Sequence, residues 1–222
     1  MTGYGQFCPI AVAAEVLAER WNVLVIRELL YGSQRFNDLR RGLPLMSPSM
    51  LSKRLKTLER AGLVTRRTDP DSGVEYVPTD AAEELRPILG SIADWGLRWS
   101  RGVLDPQNFD ASLLMWDIHR KVVPETFPPH RVVAEFRLRG ASRGKNRYWL
   151  VLDDGAADLC LVDPGFDVDV LVEAHMRTLV AYWLEKIEFD DAIRSGDVQL
   201  TGPRHLLRSF PTWFRRCGVA AP

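Results

Sequence analysis

The chain has 222 residues, 46% hydrophobic and 26% charged, which is typical of a folded protein and excludes a chain that is disordered throughout. Its 29 basic and 29 acidic residues cancel, and no apolar run approaches the roughly 18 residues of a membrane span. The first ten residues lack a basic stretch followed by an apolar one, so we expect a cytoplasmic protein with no membrane partner.

The first 61 residues predict a series of short helices. Apolar segments at 10–19 and 22–30 predict two of them, and a third over 36–41 ends at the breaker Gly42-Leu43-Pro44. Ser47 is a favourable N-cap with Pro48 in the first helical position. After it, leucines repeat at helical spacing up to Ala61-Gly62. This order predicts a helix-turn-helix.

Two extended runs follow, at 63–68 and 74–78. They are joined by Asp69-Pro70-Asp71-Ser72-Gly73, whose Pro, Asp and Gly residues are typical of a tight loop. The pattern predicts a β-hairpin, the wing of a winged helix.

Positive charge is concentrated in this region. Residues 35–67 hold nine basic and two acidic residues, a local charge of +7, which leaves 20 basic and 27 acidic residues in the rest of the chain. A solvated helical face is the alternative explanation of such a run. If Leu51, Leu55 and Leu58 face the core, hydroxyl and basic side chains lie opposite them, where they can reach bases and phosphates of double-stranded DNA. The expected DNA-binding residues are Arg35, Ser49, Ser52, Lys53, Lys56, Thr57, Arg60, Arg66 and Arg67.

Several short motifs together resemble one known family over about residues 7–101. They are Cys8-Pro9, Trp21, Arg35-Phe36-Asn37-Asp38-Leu39, the run from Met50 to Glu59, Gly62-Leu63-Val64 and Val74-Glu75-Tyr76. This combination resembles the HxlR family of bacterial winged-helix transcriptional regulators. The resemblance implies a dimer, by family default a repressor, that binds a palindromic operator with one head per half-site. In part of that family a cysteine at the position of Cys8 senses oxidants, and a small packed thiol is the alternative.

A longer helix is predicted from Asp80 to Arg101, with Asp80 as its cap and Glu83 as the N3 partner. Its apolar residues are spaced alternately three and four residues apart, as in a coiled coil, and Pro87 favours a kink in the helix. The stripe predicts a homodimer seam or packing on the core of its own domain; its residues are Leu85, Ile88, Ile92, Trp95 and Trp99.

Breakers near residues 102–108 separate two domains, 1–102 and 109–222. The sequence of the second domain predicts an α+β fold. We expect strands at 132–138, 147–152, 158–162, 168–172 and 198–201, and helices at 111–123, 176–185, 189–195 and 203–213. Residues 110–217 resemble the sterol carrier protein fold, through the run from Tyr148 to Leu152, Ser195-Gly196-Asp197 and the closing stretch from Leu206 to Phe214. That resemblance implies a five-stranded sheet and an apolar small-molecule ligand. Expected pocket residues are Trp183, Phe189, Phe210, Trp213 and Phe214, although aromatic side chains at such spacing are more often core.

The sequence offers little support for catalysis. Gly140-Ala141-Ser142-Arg143-Gly144 has the spacing of a nucleophile elbow, but a strand follows it where a helix is needed, so it predicts a hairpin loop. The four histidines have no paired spacing and the three cysteines lie far apart, so no metal is expected. The sequence has no P-loop and no GxGxxG motif, so no cofactor is expected either. We therefore predict a regulator that senses an apolar effector and is not an enzyme. The alternative is a lipid carrier whose winged helix serves only protein contacts.

Overall fold

The computed structural model describes residues 3–70, 73–100, 105–126, 128, 130–141 and 145–216. The chain divides into two compact units between Gly96 and Leu97. The predicted domain limits at 102 and 109 stay a prediction, because residues 101–104 lie outside the described part of the chain.

The first unit has the predicted order of helices and strands. Its elements are α1 (Pro9–Leu17), α2 (Asn22–Leu30), α3 (Phe36–Gly42), α4 (Pro48–Arg60), β1 (Val64–Asp69), β2 (Gly73–Pro78), α5 (Asp80–Glu83) and α6 (Arg86–Trp99), whose last three residues fall in the second unit. The bounds up to β2 agree with the sequence prediction within two residues. β1 and β2 pair antiparallel, and residues 71 and 72 of the predicted turn lie outside the described residues. The winged helix-turn-helix is thereby confirmed.

The predicted continuous helix from Asp80 is wrong. α5 ends at Glu83 and α6 begins at Arg86, because Pro87 has no N–H to donate and its ring would collide with the carbonyl four residues earlier. The predicted cap is wrong as well. Thr79 holds the N-cap position, and the Glu83 carboxylate accepts from Arg86, at 2.6 Å from Nη2, instead of closing a capping box.

The second unit contains the predicted five-stranded sheet. Its elements are α7 (Ala111–Arg120), β3 (Val132–Arg139), β4 (Arg147–Asp153), β5 (Ala156–Cys160), β6 (Val170–His175), α8 (Met176–Trp183), α9 (Phe189–Arg194), β7 (Val198–Thr201) and α10 (Arg204–Ser209). The strand order is β5-β4-β3-β6-β7, and β3 pairs parallel with β6 while the other pairs are antiparallel. Three-residue 3-10 turns occur at Pro106–Asn108 and Pro124–Thr126. Residues 142–144 of the predicted hairpin loop lie outside the described residues.

Two predicted helices are shorter than expected. The first ends at Arg120, and the β-branched residue after the turn, Val122, forms a β-bridge with Phe214. The last changes after Ser209 into a 3-10 turn, Phe210–Trp213, because Pro211 has no N–H to continue an α-helical ladder. The strand predicted at 158–162 lies two residues earlier in the structure. The strand predicted at 168–172 begins two residues later and ends three residues later.

Each unit has its own hydrophobic core. In the first, Leu51, Leu55 and Leu58 of α4 are buried with residues of α2 such as Ile26 and Leu29. In the second, alternate residues of β3 point to one face of the sheet and are buried there with apolar residues of α7 and α8. These alternate residues are Val132, Ala134, Phe136 and Leu138.

Candidate DNA-binding surface and C-terminal cavity

The predicted recognition helix α4 is fixed at its start and along one side. The Ser47 hydroxyl accepts a hydrogen bond from the Met50 N–H at 3.3 Å, which satisfies one of the unpaired amides at the helix start. Leu51, Leu55 and Leu58 are at most 1% exposed. Because this stripe faces the core, the rotation of α4 about its axis is determined, and the opposite face is open to a ligand.

The open face of α4 carries the predicted hydroxyl and basic side chains. Ser49, Ser52, Lys53, Lys56 and Arg60 are exposed, and Thr57 is half-buried. The Thr57 hydroxyl donates to the Lys53 carbonyl at 3.1 Å, so its proton is already used within the helix and its oxygen can only accept. The Ser49 hydroxyl lies 3.2 Å from that of Ser47. Serine hydroxyls near the start of the helix and cations farther along it are the arrangement that major-groove binding needs.

The wing brings further cations to the same unit. Arg66 and Arg67 of β1 are exposed, and they stand opposite Tyr76 and Glu75 of β2. Arg35 forms a β-bridge with Glu75, and its Nε lies 3.8 Å from the Glu75 carboxylate. The Arg35 side chain is still 55% exposed, so this pair is a weak surface contact.

Sequence patterning did not single out two residues near this surface. Leu45, in the turn before α4, is 82% exposed although its neighbours Leu43 and Met46 are buried. The run Leu43-Pro44-Leu45-Met46 has no periodicity that separates inside from outside. Arg54, which contributes to the positive charge of the region, is turned inward and is only 13% exposed. Its partner is Glu19, and no local pattern in the sequence reveals this contact.

The predicted seam on α6 is mostly open. Ile88, Ile92, Trp95 and Trp99 are between 49% and 65% exposed, whereas Leu85 packs against the core of its own unit. Leu85 therefore fits the alternative of core packing, and the other four residues form the exposed stripe of α6. Four large apolar side chains on one short helix are more than scattered surface exposure and are typical of an interaction site.

The amino-acid sequence of the first unit matches known regulators. The model of the HxlR-like helix-turn-helix family matches residues 16–103. The uncharacterized HTH-type transcriptional regulator YvaP of Bacillus subtilis (strain 168) is 41% identical over 108 residues, which are 47% of this chain and 96% of YvaP.

The chain belongs to the HxlR-like helix-turn-helix family. An uncharacterized HTH-type transcriptional regulator, sll1512 of Synechocystis, is 34% identical over 112 residues, covering 50% of this chain and 80% of that relative. Among solved structures, the reduced form of the transcriptional regulator YodB from B. subtilis is 30% identical, with a TM-score of 0.39 over 43% of this chain and 97% of YodB.

This HxlR-like protein is a DNA-binding transcriptional regulator, and the relatives it matches are named regulators and not enzymes. The family assignment favours the regulator over a lipid carrier in which the winged helix serves only protein contacts. No helix in the described part of the chain is long and apolar enough to cross a membrane. Within the same residues, no three His, Cys, Asp or Glu side chains form a group that could hold a metal ion.

Cys8 of the HxlR-like unit is half-buried and lies at the N-cap of α1. Its carbonyl accepts from the Val12 N–H at 3.1 Å. Cys160 is in the second unit, where burial and the nearby Asp158 raise the pKa of its thiol, and Cys217 lies outside the described residues. Redox sensing by Cys8 stays a prediction.

The second unit contains a small apolar cavity between the sheet and its helices. Four of the five predicted pocket aromatics line it, together with Ile118, Phe136, Val172, Leu179 and Tyr182. The fifth, Trp213, is fully buried behind Phe210, at 5.2 Å between ring centroids. The cavity volume is about 10 Å³, room for one water-sized sphere. The aromatic rings therefore occupy most of the space that an apolar ligand would need.

One wall of the cavity is held by a buried carboxylate. Asp117 Oδ2 accepts from the indole N–H of Trp183 at 2.5 Å, and Oδ1 accepts from Arg120 at 2.6 Å. Burial alone would raise the pKa of Asp117, but the charges of Arg120 and Lys121 and these hydrogen bonds outweigh it and lower the pKa. Asp117 is therefore ionised at neutral pH and fixes the orientation of the Trp183 ring.

Proposed function

We propose that α4 enters the major groove of an operator and that the wing contacts the adjacent phosphates. The observation that supports this is the exposed row of hydroxyls and cations opposite the three buried leucines of α4. Ser49 and Ser52 contact base edges near the helix start. The cations contact phosphates, which sets affinity and register but not sequence; they are Arg35, Lys53, Lys56, Arg60, Arg66 and Arg67. Thr57 accepts a hydrogen bond from the DNA.

The salt dependence of DNA binding tests this placement. Lys53→Ala and Arg60→Ala should each weaken operator binding and lower the slope of log K against log salt by about 0.9, the loss of one phosphate contact. Arg194→Ala is the matched control, because Arg194 is an exposed cation in the second unit. Unchanged slopes for the first two variants would contradict the placement of α4.

The exposed stripe of α6 is the proposed homodimer seam, which would give one winged-helix head per half-site. Ile92→Glu places a charge in the middle of that stripe and should shift the protein from dimer to monomer in sedimentation at micromolar concentration. Ile193→Glu is the control, because Ile193 is an exposed isoleucine on α9. A wild-type protein that is strictly monomeric at this concentration would refute the seam.

The second unit is the proposed effector domain, with a sterol-carrier-like fold and an apolar ligand in the aromatic cavity. Because the cavity is small, the ligand must displace a ring. We propose that the segment after Ser209 is the part that moves. Two main-chain hydrogen bonds hold this segment to the residues that follow α7: the Val123 N–H donates to the Trp213 carbonyl and the Arg215 N–H donates to the Lys121 carbonyl, each at 2.8 Å.

A fluorescent long-chain fatty acid at saturation should change operator affinity at least about fivefold, since only a ligand that distinguishes two states shifts their balance. Bound fatty acid with unchanged operator affinity would refute the coupling.

A further inference from the structure

The turn between α1 and α2 is held in one conformation by buried polar contacts. Trp21 has a φ of 82°, in the left-handed region that residues other than glycine rarely adopt. Asn22 beside it is completely buried, and its side-chain amide donates to the Val16 carbonyl at 2.7 Å. A strained residue persists only where its surroundings fix it. The Asn22 amide therefore ties the α1–α2 turn to α1.

A charged pair joins this turn to the recognition helix. Glu19, the second residue after α1, forms an ion pair with Arg54 in the middle of α4. The two side chains are 21% and 13% exposed, whereas the neighbouring cations Lys53 and Lys56 are exposed. Among the described residues neither Glu19 Oε2 nor the Nε of Arg54 makes a hydrogen bond, so the two enclosed groups are joined by their opposite charges. Removing one member of an enclosed pair costs far more than breaking a surface pair.

The Ser47 cap and a stripe of leucines also hold α4 in place. Leu51, Leu55 and Leu58 determine which side of the helix faces the core, and the Glu19–Arg54 pair adds a directional contact from the middle of α4 to the α1–α2 turn. Arg54 lies on the same helix as the proposed DNA contacts, while its charge is directed to the α1–α2 turn. It contributes to the positive charge of the region but is too enclosed to reach a phosphate.

We infer that Glu19 and Arg54 are positioning residues for operator recognition. Their ion pair sets the register of α4 against the α1–α2 turn, and thereby the affinity and the sequence discrimination of the protein, without touching DNA. This inference rests on the proposed placement of α4 in the major groove. It makes an unusual prediction, because removing the acidic charge of Glu19 from a DNA-binding unit should weaken specific binding, whereas simple electrostatics predicts the opposite.

The experiment measures the affinity of the full-length protein for two duplexes at several salt concentrations. One duplex is selected from a random pool by the wild-type protein, and the other is a random sequence of equal length. Glu19→Gln and Arg54→Met should each weaken binding to the selected duplex about tenfold, equivalent to about 1.4 kcal/mol, with the salt slope unchanged. Glu19→Gln should leave binding to the random duplex as tight as before or tighter. Lys53→Met is the matched control, because Lys53 is the exposed cation directly before Arg54. It should lower the slope of log K against log salt by about 0.9.

The double variant Glu19→Gln/Arg54→Met completes a cycle, and it should bind the selected duplex no more weakly than either single variant. Each affinity is calculated for the folded fraction of the protein. If the variants lose only stability, the ratio of their affinities for the selected and the random duplex stays at the wild-type value, and this result overturns the inference. A lower salt slope for Arg54→Met, or tighter selected binding by Glu19→Gln, overturns it as well. If Lys53→Met changes nothing, the placement of α4 itself fails, which is a different result.

Discussion

Truncation of Phe214 tests whether the aromatic cavity can become a ligand site. Phe214 is 8% exposed, lines the cavity and packs edge-to-face on Phe210 at 5.4 Å between ring centroids. Phe214→Ala loses about 2 kcal/mol of burial free energy for the ring. It also leaves a void on the order of 100 Å³, which costs about 2.4 kcal/mol at about 24 cal/mol per Å³.

The expected loss in the free energy of unfolding is therefore about 4 kcal/mol, within the range of about 3–5 kcal/mol for such truncations. For a unit of this size the melting temperature should fall by about 15 °C. The assay is thermal unfolding followed by circular dichroism, with and without benzene. Benzene fits a dry apolar void, and at ten times its Kd it should restore about 1.4 kcal/mol to the variant.

Phe166→Ala is the matched control. Phe166 is 43% exposed, and its ring lies under the Arg131 guanidinium at 4.4 Å, outside the lining of the cavity. This variant should lose less than about 1.5 kcal/mol and should not respond to benzene. A loss below about 1 kcal/mol for Phe214→Ala, or equal stabilisation of the wild type by benzene, would refute the inference that the Phe214 ring fills this cavity.

Two further predictions concern buried carboxylates. Asp117→Asn removes the buried carboxylate that pairs with Arg120 and orients Trp183, and it should cost about 3 kcal/mol at pH 7. Because the pKa of Asp117 is lowered in the folded protein, its stabilising effect is complete above its ordinary value of 3.8 and declines as the pH falls below it. The urea midpoints of wild type and variant should therefore approach each other as the pH is lowered below 3.8, and a constant gap would contradict this. Gly42→Ala places a β-carbon against the Glu28 carboxylate, which is fully buried and cannot swing out to solvent. It should destabilise the first unit by about 2 kcal/mol in urea unfolding, whereas Gly90→Ala, at an open helical position, should stabilise it by up to about 1 kcal/mol; equal effects would argue against the close contact.

Local sequence patterns predicted the winged helix and its exposed face. The cap at Ser47 and the spacing of Leu51, Leu55 and Leu58 determine where α4 begins and which side is buried, and both are properties of neighbouring residues. The same approach failed at Asp80, where a favourable cap and an apolar stripe suggested one helix. Pro87 decided the outcome, since the loss of its N–H and the clash of its ring outweigh a surface cap.

Long-range partners were not predictable in this way. Arg54 and Lys53 are adjacent cations in one helix, and only the three-dimensional fold shows that one turns to Glu19 while the other faces solvent. The cavity shows a related difficulty. The closing aromatics were recognised as a group, but the volume left between them depends on packing to within a fraction of an ångström, which residue types do not specify.

The parallel pairing of β3 with β6 has a consequence for the growing chain on the ribosome. Ala134 is aligned with Val170, so the middle of the sheet joins segments far apart in sequence, while β3, β4 and β5 can associate as soon as they are made. Until residue 175 has left the exit tunnel, the apolar strand β3 keeps one unpaired edge, the kind of edge that promotes aggregation. All elements of the winged helix are synthesised before residue 175. During synthesis, therefore, the DNA-binding unit can fold while β3 of the second unit still lacks its partner β6.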